Sequence, residues 1–215
     1  MHSFPQHLLD GYASFMAGRY ARETERYKQL AIGGQSPTAM VIACCDSRAA
    51  PETIFDVGPG ELFVLRNIAN LVPPFEPGAG QHGTSAGIEF AVNALNISDL
   101  IVLGHGRCGG IRAALNPAGP LAPGDFIGKW MGLLAPVTEQ VATYSFMTHT
   151  ERETMLERLS VRNSIKNLRT FPYIRDREAE GKLTLHGAWF DVSTAELWLM
   201  DQETGDFSRS EVPPV

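Results

Sequence analysis

The sequence predicts an α/β fold: a central, mostly parallel sheet with flanking helices and a late antiparallel edge hairpin. Three observations carry this. Short continuous apolar runs at residues 40–44, 62–65 and 100–103 have the pattern of strands buried on both faces. Between the second and third, residues 84–96 place Ile88, Ala91, Val92 and Leu95 on one helical side, the alternation that builds βαβ units. Residues 183–192 and 195–201 then alternate well enough to be two arms of a hairpin, turning near Ser193-Thr194.

The elements follow in order. Residues 7–30 carry Leu8, Leu9, Tyr12, Phe15, Met16, Tyr20, Tyr27 and Leu30 at helical spacing, and Gly33-Gly34 stops the helix. The Pro/Gly-rich stretch 73–83 is a loop inside the domain, because strand–helix alternation continues across it. Residues 124–142 form a helix broken at Pro136. Thr150 with Glu153 three residues on makes a capping box, opening a helix that contains Leu156, Leu159, Ile165 and Leu168. Pro172 ends it. The expectation is one domain over residues 1–215, with an N-terminal helical arm at about 7–30.

Composition narrows the classes of function. Of 215 residues, 18 are Lys or Arg and 24 Asp or Glu, so 18 − 24 gives a net charge of −6. That balance lacks the basic face of a nucleic-acid binder. The longest apolar run, at 39–45, is far short of the roughly 18–20 residues of a membrane-spanning helix, and residues 1–10 lack a signal-peptide pattern. The expected location is the cytoplasm. Three cysteines are too few for a disulfide framework and read as thiols, ligands or nucleophiles in a reducing compartment.

Two segments carry chemistry: Cys44-Cys45-Asp46-Ser47-Arg48 and Gly104-His105-Gly106-Arg107-Cys108-Gly109-Gly110. Each falls where a buried strand ends, the edge at which open α/β sheets bind ligands. If strands 39–44 and 100–104 are neighbours, side chains 105 − 44 = 61 positions apart converge there. Two thiols and an imidazole make a soft N/S site, which favours zinc over magnesium or calcium. A lone cysteine is more often a small buried hydrophobe, and an isolated His-x-x-Cys is a weak signal for that reason. A structural zinc site would need a fourth protein ligand and a second knuckle, which the sequence lacks. Three ligands and an open position is the catalytic arrangement.

In this order, Cys44-x-Asp46-Ser47-Arg48, Pro59-Gly60-Glu61, Arg66-Asn67-Ile68-Ala69-Asn70, Gly87-Ile88-Glu89-Phe90-Ala91-Val92 and Gly104-His105 with Cys108-Gly109-Gly110-Ile111 resemble the β-class carbonic anhydrases. The resemblance is strong over residues 35–115 and reaches Gly187-Ala188-Trp189-Phe190-Asp191. It implies the β-carbonic-anhydrase fold and one zinc per chain on Cys44, His105 and Cys108. It also implies an Asp46–Arg48 dyad, and Gln35, Phe63, Ile68, Phe90 and Gly109 at the substrate. Phe90 replaces the tyrosine of plant-type members. Cys45 holds a variable position and is expected to be a buried free thiol.

The activity implied is reversible hydration of CO2 to bicarbonate and a proton, by attack of zinc-bound hydroxide. The assembly implied is a homodimer or larger homo-oligomer, with the site near the subunit boundary and the N-terminal helix reaching across. Some bacterial members bind bicarbonate at a second site made by a tryptophan, an arginine and a tyrosine. The matching positions here hold Val41, Arg66 and Phe190, which implies the plant-like subtype, with water as fourth ligand and Asp46 paired to Arg48. Zinc on two thiolates and a neutral imidazole has no formal charge and is a weaker Lewis acid than zinc on three histidines, so Arg48 and the helix opening at Gly109-Gly110 must supply positive field. Hydrolysis of COS or CS2 would use the same ligands. A thiol or metal module built on Cys44-Cys45 is disfavoured by the strain of an adjacent disulfide and the lack of C-x-x-C. His82 is a candidate proton relay and His186 a packed structural histidine.

Overall fold

The computed structural model describes residues 4–78, 80–115 and 125–211. Six strands form one sheet: β1 (Ala39–Cys44), β2 (Leu62–Asn67), β3 (Asp99–His105), β4 (Thr184–Phe190), β5 (Leu197–Met200) and β6 (Phe207–Arg209), in spatial order β2-β1-β3-β4-β5-β6. The first four in that order run parallel and the last two antiparallel. The hairpin expected at 183–201 is the β4–β5 pair, with Phe190 opposite Leu197. The last strand, β6, was not expected. It is three residues long, and Ser208 and Arg209 are exposed, so it has no apolar run to announce it.

Alternation along β1 divides the core. Met40 and Ile42 enter one cluster with Ile88, Val92, Leu100, Val102, Val161, Ile165, Leu168, Phe171 and Ile174. Val41 and Ala43 enter a smaller cluster on the other face with Leu103 and Ala188. A strand buried on both faces reads as a continuous apolar run, which is why β1 and β3 were legible; β2, at the sheet edge, has the same apolar run but is only half-buried throughout.

The helices are α1 (Gln6–Phe15), α2 (Ala21–Gly33), α3 (Pro51–Ile54), α4 (Gly83–Glu89), α5 (Gly109–Ala114), α6 (Asp125–Met131), α7 (Ala135–Ala142), α8 (His149–Leu168) and α9 (Pro172–Ala179). A π-turn, Met16–Tyr20, joins α1 to α2, and Gly34 ends the arm at φ +75, a conformation glycine adopts without a Cβ penalty. No residue of α1 or α2 is buried. The arm touches the body through Arg19 Nη2 donating to Val57 O (2.7 Å) and Arg26 Nε donating to Pro59 O (2.8 Å).

Three details correct the sequence reading. The segment expected as one helix at 124–142 is α6, a 3-10 turn at Gly132–Leu134 and α7, with Pro136 in the first turn of α7 rather than breaking a helix; Gly124 lies outside the described residues. The capping box is Thr148 with Glu151, not Thr150 with Glu153. Both pairs have the right spacing, but starting at Thr148 turns Glu153 inward, where it is buried and accepts from Arg112 Nε of α5 (2.8 Å). Pro172 does not end α8, which stops at Leu168; it opens α9, in the first turn where its missing N–H costs nothing.

Helix α8 sits unusually close to the sheet. A Cβ added to Gly104 in β3 would lie 2.7 Å from Val161 Cγ2, and one added to Gly187 in β4 3.0 Å from Val161 Cγ1. Val161 therefore seats in a notch made by two bare Cα atoms on neighbouring strands. This close approach brings Glu157, one turn earlier on α8, to the end of β3.

Candidate metal centre

β1 and β3 are adjacent and parallel, with Ala43 opposite Leu103, so Cys44 and His105 end neighbouring strands at the same sheet edge. Cys108 follows three residues later as the N-cap of α5. The donor atoms of Cys44, His105 and Cys108 all lie within 4.8 Å of one another, and all three residues are buried. The two sulfurs are 4.0 Å apart. Zn–S bonds of about 2.3 Å at a tetrahedral angle place two sulfurs about 3.8 Å apart.

The imidazole supplies the deciding observation. His105 Nδ1 donates to Gly106 O at 2.9 Å, which leaves Nε2 as the acceptor, and Nε2 is buried with no hydrogen-bond partner. A buried polar atom without a partner is costly, and here it points at two thiols. The donor set fits a soft divalent cation, zinc above all. The hydrogen bond between the two thiols pulls Cys44 below the usual thiol range, and the same bond, with burial, pushes Cys108 up.

The turn between His105 and Cys108 is strained and externally held. Arg107 has φ +61, costing a side-chain-bearing residue about 1–2 kcal/mol. Three contacts hold it: Gly106 N–H donates to Phe190 O (2.8 Å), Arg48 Nη2 donates to Arg107 O (3.1 Å), and Cys108 N–H donates to Glu157 Oε1 (3.1 Å).

Asp46 and Arg48 form a fork. Arg48 Nε donates to Oδ1 (2.9 Å), Nη2 to Oδ2 (2.7 Å), and the Arg48 backbone N–H to Oδ1 (3.0 Å). These bonds hold the Asp46 carboxyl far below the usual carboxylate range. Arg66 clamps the backbone beneath, Nε donating to Cys44 O (2.8 Å) and Nη2 to Asp46 O (2.6 Å).

Of the residues expected at the substrate, Ile68 and Gly109 lie beside the ligands: Gly109 follows Cys108, and Ile68 borders Gly110 and lines a cleft of about 620 Å³ with Asn67, His82, Thr84 and Trp130. Cys45 also lines that cleft and is exposed, which corrects the expectation of a buried thiol. Its strand has ended at Cys44, so the chain turns the next side chain outward. Phe63 and Phe90 pack together, with ring centroids 5.7 Å apart. Phe63 stands four residues before Asn67, the partner of Cys44, hence about 13 Å down the strand at 3.3 Å per residue. Gln35 is exposed on the segment between α2 and β1. Within one chain these three are not gathered at the ligand cluster.

Sequence reasoning missed Glu157 and Trp189. Glu157 is 3% exposed, and its Oε2 accepts from Trp189 Nε1 at 3.1 Å. Burial pushes its carboxyl up to about 7, against two N–H donors that favour the ionised form. A signal existed: Glu153 and Glu157, one turn apart, share the inward face of α8 with Leu156, Ser160, Val161 and Ser164. A charged residue at a core-facing position needs a partner.

Two sulfurs and one imidazole nitrogen gathered on the C-terminal edge of a parallel sheet form a donor set of the zinc-enzyme class. Comparison with known proteins sharpens the class. The sequence model of the family described as carbonic anhydrase matches residues 39–197. The chain is 35% identical over 203 residues to β carbonic anhydrase 5, chloroplastic, of Arabidopsis thaliana, an alignment covering 93% of this chain and 66% of that protein. Among solved structures it resembles the β-carbonic anhydrase CcaA at TM-score 0.87 and 31% identity, covering 96% of this chain and 92% of that one. A tetrameric β-carbonic anhydrase of the ascomycete Sordaria macrospora matches at TM-score 0.79 and 30% identity, covering 94% and 98%. This chain belongs to the β-class carbonic anhydrases. It spans about two thirds of the length of the Arabidopsis relative.

Proposed function

We propose that this chain is a zinc enzyme interconverting CO2 and bicarbonate, with one zinc per chain held by Cys44, His105 and Cys108. The observation that carries the reading is the buried, unpartnered His105 Nε2 beside two thiols 4.0 Å apart. Bound there, zinc supplies the Lewis acidity that makes water a nucleophile near neutral pH. The chain's own groups do the rest. Arg48 keeps Asp46 ionised and acceptor-only, so its carboxylate takes a hydrogen bond from the attacking water and aims the oxygen lone pair at carbon. Arg66 and the Arg48–Arg107 contact keep the two ligand loops in register. Ile68 and Gly109 border the position CO2 would take.

Phe63, Phe90 and Gln35 are assigned to the site of a second copy. The family resemblance implies a dimer with its site near the subunit boundary, and the arm supports it. Leu8, Leu9, Tyr12 and Met16 are all exposed, and a helix with no buried residue is marginal by itself. A homodimer or larger homo-oligomer is proposed accordingly. Residues 1–215 are read as one domain plus this arm, since all six strands share one sheet. No described helix is long and apolar enough to cross a membrane, and the three cysteines are free, which suits the reducing cytoplasm proposed as its location.

Stopped-flow CO2 hydration on zinc-loaded protein tests the reading; a rate no better than buffer rejects it. Sulfide release from COS or CS2, with no CO2 hydration, would reassign the substrate on the same ligands.

A further inference from the structure

We propose that Glu157, oriented by Trp189, is the positioning residue that sets Cys108 at the metal. The inference rests on the zinc-site reading above and adds a residue to it. Glu157 is buried, and both its oxygens are used: Oε1 accepts from Cys108 N–H and Oε2 from Trp189 Nε1, each at 3.1 Å. Three contacts from other elements hold the His105–Cys108 turn, and of these Glu157 alone, among the described residues, grips a ligand residue directly. The turn needs that grip, because Arg107 immediately before Cys108 sits at φ +61 and relaxes if released. Rotation about the Cys108 backbone carries its Cα, and therefore its Sγ, away from Cys44 and His105.

The chemistry specifies a carboxylate. Two N–H donors converge from different elements, one from the α5 N-cap and one from β4, and only an Asp or Glu side chain offers an acceptor at both atoms. Glutamine in the same place satisfies one N–H and turns its own NH2 against the other. Aspartate is one methylene short from the same helix position. Outer-shell partners of metal ligands act in this way, and losing one weakens metal binding by about 10–100-fold.

The test compares zinc retention by Glu157→Gln and wild-type holoenzyme in competition with a chelating indicator. The melting temperature of each metal-free protein and the thiolate-to-metal charge-transfer band of the cobalt-substituted forms are recorded alongside. The expected result is about 10–100-fold weaker zinc binding with an altered cobalt–thiolate band. Zinc affinity within twofold of wild type overturns the inference, and a lowered metal-free melting temperature beside it assigns Glu157 to fold support alone. If Glu157→Gln does not fold, Trp189→Phe decides instead. It removes the indole donor, leaves Oε2 unpaired and is expected to weaken zinc retention several-fold; retention equal to wild type overturns the inference. Wild-type protein that holds no zinc overturns the proposed function, and this inference with it.

Discussion

Replacing Gly104 by alanine tests whether the close seat of α8 on the sheet is what the site depends on. The new Cβ would lie 2.7 Å from Val161 Cγ2, 3.5 Å from Trp189 Cδ1 and 3.6 Å from Glu157 O. Carbon pairs rest at about 3.5–4.0 Å, so the first contact is about 1 Å too short and the others are tolerable. Val161 cannot swing clear. It is β-branched in a helix, with χ1 nearly fixed, and its other methyl is already against Gly187. Relief requires α8 to move off the sheet. Overpacking of this kind costs about 1–3 kcal/mol, which in a chain of this size lowers Tm by about 2–4 °C per kcal/mol.

The same geometry predicts a rescue. Val161→Ala alone opens a cavity in the buried core and costs a similar amount. In the double variant the methyl added at position 104 occupies the space Cγ2 vacated, so the combined loss should fall short of the sum by about 1–2 kcal/mol. Urea denaturation at fixed protein and zinc concentration measures all four corners of the cycle, holding assembly and metal linkage constant. Additivity within about 0.5 kcal/mol would refute the notch reading, since independent sites add to that tolerance.

Three further outcomes follow from the site and its supports. His105→Ala leaves two sulfurs and no imidazole, and bound zinc, measured by elemental analysis after gel filtration, should fall from one per chain toward zero; stoichiometric zinc would remove His105 from the ligand set. Arg48→Lys keeps the charge and loses the fork, so kcat should drop by about 10–100-fold while the melting temperature changes little, because this pair is partly solvent-exposed. A kcat within twofold of wild type would show that the fork does not orient Asp46. Asp99 accepts from Ser98 and lies 2.8 Å from His186, and its carboxyl is held below the ordinary 3.8. A depressed carboxylate adds stability above its unfolded pKa and loses it as pH falls through the folded value, so wild type should exceed Asp99→Asn near pH 6 and the gap should close on acidification below the ordinary carboxylate range. Both partners are about two-fifths exposed, which limits the difference to under about 1 kcal/mol, and a gap that widens on acidification would contradict the assignment.

How far the sequence could be read depends on the range of each interaction. Cys44, His105 and Cys108 were legible because each stands at or just past the end of an apolar run, and strand ends converge once the sheet is parallel. Asp46 and Arg48 were named from the family resemblance, since Asp-Ser-Arg alone reads as an ordinary turn with a surface ion pair; the two residues do meet across their short spacing. Glu157 meets Cys108 across 49 positions, and the meeting depends on the register of α8, fixed by Val161 between two glycines. No local pattern encodes that register. Cys45 was misread because hydrophobicity treats it like Cys44, whereas strand alternation and the end of β1 set them on opposite sides. Thr148 and Thr150 offer the same capping spacing, and the burial of Glu153 against the exposed Arg112 separates them.

The Asp46 geometry also bears on what can complete the metal centre. Its oxygens receive three donors, all charge-assisted because the acceptor is an anion, and all from Arg48. To reach a metal, the carboxylate would have to leave all three together. Arg48 is tied in turn to Arg107 O, inside the turn that carries Cys108, so the fork and the ligand loop move as a unit. Arg66 directs Nε to Cys44 O and Nη2 to Asp46 O, and Val41 and Phe190, packed in one cluster on the other face of the sheet, bring no hydrogen-bonding side chain. The positive charge near Cys44 thus keeps the Asp46 carboxylate engaged by Arg48, from where it would accept a hydrogen bond from water on a metal held by Cys44, His105 and Cys108.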